Sequence, residues 1–423
     1  MLQSYDLIIK GGDVASHHGV AAADIGVKEG RIQAIGDLAN ATAENVFEAK
    51  GLTTIPGVID PSVRFREPGG DHLEDMESGS RAAVLGGVTA IFDRSDTRPA
   101  VTTAEALKDK IIRARNSIWC DYAFFIGGVP ENTPALRWME KTPGVCGVEA
   151  YLKNNSNDMG LLRAEDLYAM LKNGSRRITV HLADTEGGIQ NTRQIIDLAL
   201  KAGRRVHLSS ASLVDQLSFL AAYKHICSLE VSPQHLSFAL PEDKDQLGTR
   251  SLVEPALASE RHRSALWQAV NDGLIDCLGS AHAPQGLSLE TIDHPGVSAV
   301  QTLLPVMLTH VSEGRLSLTR LVDLTSTSVH RTFGLRDKGV LAVGYHADLA
   351  IVDLKESWQI DDKWIASKTG WTPYNGFKAT GRVKATFVRG QLAMREGEMG
   401  VKTNTAPIRF QDTVKPDHHE REL

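Results

Sequence analysis

The side chains in this sequence best equipped for chemistry stand where short apolar runs end. His181 closes Ile178-Thr-Val-His181, His207 closes Arg205-Val-His207, and Glu149 lies in Gly147-Val-Glu-Ala-Tyr. Imidazole and carboxylate can hold a metal ion or carry a proton. The segment Pro56-Gly-Val-Ile-Asp-Pro-Ser-Val-Arg-Phe-Arg-Glu-Pro68 adds Ser62, Arg64 and Arg66. Arginine has no lone pair to give a metal; it grips carboxylates in a two-pronged fork instead. Taken alone, His181 and His207 read as hydrogen-bonded core histidines, and His72, His235 and His282, with no ligand arrangement around them, take structural roles. Gly69-Gly70 and Gly86-Gly87 lack phosphate-loop spacing and serve turns and close approaches. Cys120, Cys146, Cys227 and Cys277 form no Cys-x-x-Cys pair. They read as reduced, buried small hydrophobes rather than a zinc knuckle or a disulfide framework.

The elements that must position these groups follow from the pattern of apolar runs. Between residues 56 and 339, short runs alternate with helical patterns: Gly87–Phe92 follows Ser78-Gly-Ser-Arg-Ala-Ala-Val, Ile178–His181 precedes Thr192–Ala202, and Arg205–His207 precedes Leu213–Tyr223. Repeated strand–helix units of this size predict a closed parallel barrel with its reactive groups at the C-terminal ends of the strands. Leu7-Ile-Ile-Lys10, Ile25-Gly-Val-Lys28 and Arg31-Ile-Gln-Ala-Ile35, parted by glycine turns, predict hairpin-linked antiparallel strands. The same texture returns in 347–353 and 385–391, so residues 1–55 and 340–400 are expected to share one β-sandwich. Residues 401–423 are expected to drape over the surface as a poorly ordered tail.

At 423 residues, 42% hydrophobic and 23% charged, the chain can bury a large core. Its net charge of -6 is spread without a basic block, which excludes nucleic acid and anionic membranes as partners. Neither a membrane-length apolar run nor a secretory signal is present, so the expected compartment is the cytoplasm.

From Ile25 to Glu398 the chain resembles the cyclic-amide branch of the amidohydrolase superfamily, dihydroorotase above all. The likeness rests on Pro56–Asp60, Arg66-Glu-Pro-Gly69, Ala82–Thr89, Glu230-Val-Ser-Pro233, His282-Ala-Pro284, Gly344–Leu349 and Ser367–Tyr374. It implies a (β/α)8 TIM barrel flanked by a β-sandwich, one or two zinc ions, and reversible ring closure of carbamoyl aspartate to dihydroorotate. It also implies where this chain departs. The two strand-one imidazoles align with Ser62 and Arg64, the bridging carboxylated lysine with Glu149, and the next two imidazoles with His181 and His207. The proton-shuttling aspartate aligns with Ala281. Among substrate contacts, Arg66 is kept, two asparagines align with Asp96 and Glu254, and a histidine aligns with Gln285. The stretch between His181 and His207 is shorter than in the family, as though part of a lid were missing.

Glu149, His181 and His207 could still complete a set of two imidazoles and one carboxylate around one ion, so the expected cofactor is none or at most one zinc. The favoured alternative pairs Arg64 with Glu149, a guanidinium replacing a dication's charge. Arg66 either binds an anion or braces Glu67 or Asp96. Two functions follow. One is a catalytically silent dihydroorotase homologue, a homo-oligomer serving as structural partner of aspartate carbamoyltransferase or another pyrimidine-pathway enzyme. The other is a hydrolase of a cyclic amide working with a single metal.

Overall fold

The computed structural model describes residues 4–151, 162–181, 188–288 and 294–413. Eight apolar runs become parallel strands, each beside its neighbour in sequence: Val58–Val63, Val88–Asp93, Asp121–Gly127, Val145–Ala150, Ile178–His181, Val206–Ser209, Cys227–Val231 and Cys277–Leu278. In that order they are the first to eighth strands of a TIM barrel. Its two edges meet where Val63 bridges His282 and the Arg64 N–H donates to the His282 carbonyl at 2.7 Å.

The first and second strands are buried at every position, as parallel strands covered on both faces must be. Ile59, Ala90, Phe92, Ala123 and Phe125 pack with Phe333, Leu335, Ile408 and Phe410, while Val58, Ile91, Tyr122 and Phe124 pack in the layer shared with the helices. Helix Met76–Leu85 starts at Asp75, whose carboxylate accepts the Ser78 N–H at 2.7 Å; helix Ala104–Ser117 starts at Thr103, whose hydroxyl accepts from Ala106 at 3.2 Å. Such caps satisfy helix N–H groups that have no partner inside the helix.

The flank is a β-sandwich of two sheets. A four-stranded sheet comes wholly from the N-terminal segment, and within it Ser4–Lys10 pairs antiparallel with Asp24–Lys28 but parallel with Thr42–Glu48. The antiparallel expectation is therefore only partly met, because the hairpin of Asp13–Ser16 and Gly19–Ala22 leaves for the other sheet. That seven-stranded sheet joins early and late strands, Thr53–Pro56 pairing with Leu349–Gln359. The turn between Asp24–Lys28 and Arg31–Gly36 puts Glu29 at φ 51° and Gly30 at φ 71°. Left-handed conformations at both turn residues match the twist of the flanking strands.

Sandwich and barrel are clamped by buried charge. Lys338 bonds both Asp348 and Asp121, the latter at 2.7 Å, and Asp121 also receives Arg389 Nε at 2.8 Å. The residues from 402 to 413 correct the expectation of a draped tail: Ile408 and Phe410 are buried, and the Ile408 N–H donates to the Tyr122 carbonyl at 2.8 Å. Two large apolar side chains entering the core outweigh the polar composition of the segment. Residues 414–423 of the expected tail lie outside the described residues.

Candidate functional site

Strand ends bring the expected residues to the barrel mouth, where they choose partners the sequence does not reveal. Arg64, directly after the first strand, pairs with Asp96; the two side chains are 6% and 1% exposed. Glu149, on the fourth strand, is bound by Arg94, whose Nε donates to Oε1 at 3.0 Å. The expected Arg64–Glu149 pair is thus replaced by two pairs. Both new members, Arg94 and Asp96, lie on the segment that leaves the second strand, and Asp96 takes Arg64 while Arg94 reaches the fourth and fifth strands.

Arg94 is the centre of the arrangement. Its Nη2 lies 2.8 Å from each ring nitrogen of His181, and its Nε also donates to the Tyr151 hydroxyl at 3.2 Å. His181 stacks on Tyr151, with ring centroids 4.5 Å apart and planes within 9°, and its Nε2 is 2.6 Å from Glu149 Oε1. The second Glu149 oxygen accepts the Ser95 N–H at 2.9 Å and the Ser95 hydroxyl at 2.7 Å. Burial opposes charge on all three titrating groups, but partners decide two of them. Tyr151, Glu149 and Asp96 outweigh burial to raise Arg94 well above its ordinary value, and Arg94 with His181 holds Glu149 well below. For His181, burial and the Arg94 charge lower the imidazole despite Glu149. The mouth therefore holds a fixed guanidinium and carboxylate beside a neutral imidazole.

His207 does not join this group. In the parallel register Thr179 lies beside both Glu149 and His207, and Ser209 beside His181, so His207 is level with Glu149 with one strand between them. There its Nδ1 meets the Ser228 hydroxyl at 2.9 Å and its Nε2 meets Glu230 at 3.3 Å. The expected set of Glu149, His181 and His207 is divided, Glu149 and His181 bonding each other while His207 bonds Ser228 and Glu230. The position level with His181 is Ser209, which donates to Glu230 at 3.1 Å. A Cβ at Gly279 would lie 2.7 Å from the Glu230 carboxyl carbon, so a side chain there would displace the carboxylate.

The expected substrate contacts are also engaged or displaced. Arg66 donates from Nε and Nη2 to the Pro284 carbonyl at 3.3 and 3.2 Å, and its charge also favours the Asp96 carboxylate. Burial and the charge of Arg64 lower it to about 9, so it stays protonated at neutral pH. Gln285 is buried, its carbonyl accepting from the Trp371 indole at 2.8 Å, while Glu254 is exposed. His235 bonds Ser232 at 2.8 Å and the Pro255 carbonyl at 3.0 Å, and His282 accepts from Ala299 at 3.1 Å. Both have the structural roles expected of them. The space bounded by Arg64, Arg94, His235 and Ala281 is about 10 Å³, and that beside Arg66, Arg98 and Gln285 about 60 Å³. The first admits one water at most, whereas small-molecule sites usually span about 300–1,000 Å³.

The chain matches the amidohydrolase family over residues 53–393. It belongs to the amidohydrolase family. It is 31% identical to a dihydroorotase of Halobacterium salinarum over 366 residues, covering 79% of this chain and 86% of that one. It is 30% identical to an allantoinase of Solibacter usitatus, covering 96% and 97%. The "Multifunctional protein CAD" of Squalus acanthias is 31% identical over 361 residues; these cover 82% of this chain but 15% of that far longer protein. Among solved structures, an L-hydantoinase (dihydropyrimidinase) from Arthrobacter aurescens matches at TM-score 0.88 and 26% identity, covering 95% and 100% of the two chains.

Amidohydrolases usually bind a metal, commonly zinc, and this donor set does not fit one. Among the described residues no three His, Cys, Asp or Glu side chains gather in a way that could hold an ion. Both Glu149 oxygens already accept hydrogen bonds, the His181 nitrogens face a guanidinium, and Ser62, Arg64 and Ala281 offer neither imidazole nor carboxylate. Sequence reasoning does not reach Arg94, Ser95, Tyr151 or Glu230. The available signal is slight: Arg94 and Ser95 lie in Asp93-Arg-Ser-Asp96, straight after a barrel strand, and Tyr151 follows Glu149 by two.

Proposed function

We propose that this dihydroorotase-like amidohydrolase has lost catalysis and persists as a structural partner in pyrimidine biosynthesis. Opening or closing a cyclic amide at neutral pH calls for a Lewis acid, an activated water and a carboxylate that moves its proton. The observation that carries the reading is the Arg94 guanidinium bonded to both Glu149 and His181, which also bond each other, so that those two donors are already engaged. Ala281 supports it, since a methyl group moves no proton. The likeness to part of a multifunctional protein and to dihydroorotases supports the pathway and a partner enzyme, aspartate carbamoyltransferase being the first to test. Within this reading the barrel is retained as housing, works in the cytoplasm as a homo-oligomer, and holds no firmly bound zinc. No helix among the described residues is long and apolar enough to cross a membrane.

The test is metal analysis of the dialysed protein together with turnover of dihydroorotate, hydantoin and allantoin. Well below one zinc per chain and turnover equal to a protein-free blank are expected. One firmly held zinc with turnover above the blank overturns the reading. Failure to copurify with aspartate carbamoyltransferase at micromolar concentration removes that partner.

A further inference from the structure

The mouth of the barrel is held together by a cation that is part of the chain. Arg94 leaves the second strand, Glu149 lies on the fourth, and His181 ends the fifth, so one guanidinium joins three strand ends. Its own backbone is pinned in turn, for Lys110 Nζ donates to the Arg94 carbonyl at 2.8 Å. The charges balance: Arg64 and Arg94 face Asp96 and Glu149, and both carboxylate side chains are 1% exposed. A buried carboxylate needs such a partner, because water cannot reach it to supply solvation.

We propose that Arg94 does the tethering and neutralising that a bound metal ion does elsewhere in this family, and that it occupies the place from which Glu149 and His181 would meet a divalent cation. This rests on the reading above that the wild-type site is metal-free, and extends it by naming the residue responsible. Planar, permanently charged and able to bond several acceptors at once, guanidinium suits this task better than ammonium. It differs from an ion in lacking an exchangeable water, so it tethers without activating a nucleophile.

The experiment compares the full-length wild type with Arg94→Ala, Arg94→Lys and Arg94→Ala/Glu149→Gln, using zinc chloride, cobalt chloride or EDTA as the probe. The wild-type thermal midpoint is expected to ignore all three. Arg94→Ala is expected to melt several degrees lower, to recover part of that loss with zinc, and to develop the visible absorption of protein-bound cobalt(II). Adding Glu149→Gln should abolish the recovery and the colour. Arg94→Lys should melt between wild type and Arg94→Ala without responding to metal. If Arg94→Ala does not fold unaided, refolding that succeeds with zinc and fails with EDTA supports the proposal, and failure in both overturns it. A folded Arg94→Ala protein that melts with the wild type, or that shows no response to zinc or cobalt, also overturns it. Neither result touches the silent-enzyme reading, which turnover by the wild type would sink.

Discussion

Replacing Glu149 with glutamine keeps the shape of the side chain and removes the charge on which the mouth is built. The carboxylate accepts four hydrogen bonds, from Arg94 at 3.0 Å, His181 at 2.6 Å, and the Ser95 N–H and hydroxyl at 2.9 and 2.7 Å. Glutamine presents one oxygen and one NH₂ group, so at least one donor is left facing another donor. The side chain is 1% exposed and water cannot fill the gap. Removing one partner of a buried ion pair costs about 3–5 kcal/mol. With an unfolding entropy of about 2.1 cal/mol/K per residue over 423 residues, this lowers the melting midpoint by about 3–6 °C. The pH dependence sharpens the test. Arg94 and His181 hold Glu149 below its ordinary 4.5, so its stabilisation is complete above that pH and is lost as pH falls through the depressed folded value. Urea unfolding of wild type and Glu149→Gln should therefore differ fully at neutral pH and converge in acid. Equal stability at neutral pH, or a difference that persists unchanged in acid, refutes the reasoning.

Three further outcomes follow from buried groups elsewhere. Asp60 has one oxygen bonded to the Ser62 and Ser280 N–H groups and the other without a partner among the described residues; burial, reinforced by Glu230, raises it to about 7 despite those bonds. A raised carboxyl destabilises the fold increasingly as pH climbs from 3.8 to about 7, so Asp60→Asn should exceed wild type by up to about 4 kcal/mol at pH 8 and by little near pH 4; identical pH profiles by urea unfolding contradict this. Lys338→Met leaves Asp121 and Asp348 facing each other with Arg389 as their remaining cation, and should cost about 3–5 kcal/mol by the same assay; an unchanged midpoint removes the clamp between sandwich and barrel. Burial raises the four cysteines, Cys227 to about 11 and Cys120, Cys146 and Cys277 well above 9, so a colourimetric thiol reagent should register four thiols only on unfolding; rapid reaction of the native protein is the contrary result.

The barrel is legible in sequence because its strands announce themselves as short apolar runs at regular spacing, and so is the shared sheet, because residues 347–353 repeat the texture of the N-terminal strands. The site is half legible. Arg64 and Glu149 are recognisable as buried charges needing partners, yet pattern alone cannot say which counter-charge reaches which. That depends on where the segment after the second strand places Arg94 and Asp96. His207 differs for another reason: its run ends like that of His181, and only the packing of the seventh strand beside it supplies Ser228 and Glu230 as its partners. Ile408 and Phe410 are hidden by a polar neighbourhood, because composition averages over a segment while burial acts on single side chains.

The most direct measurement is a crystal structure from protein equilibrated with excess zinc, with anomalous data collected at the zinc edge. The account predicts the Arg94 guanidinium bonded to Glu149 and His181, with no zinc peak between them. A zinc ion ligated by Glu149 and His181, with Arg94 swung aside, contradicts it.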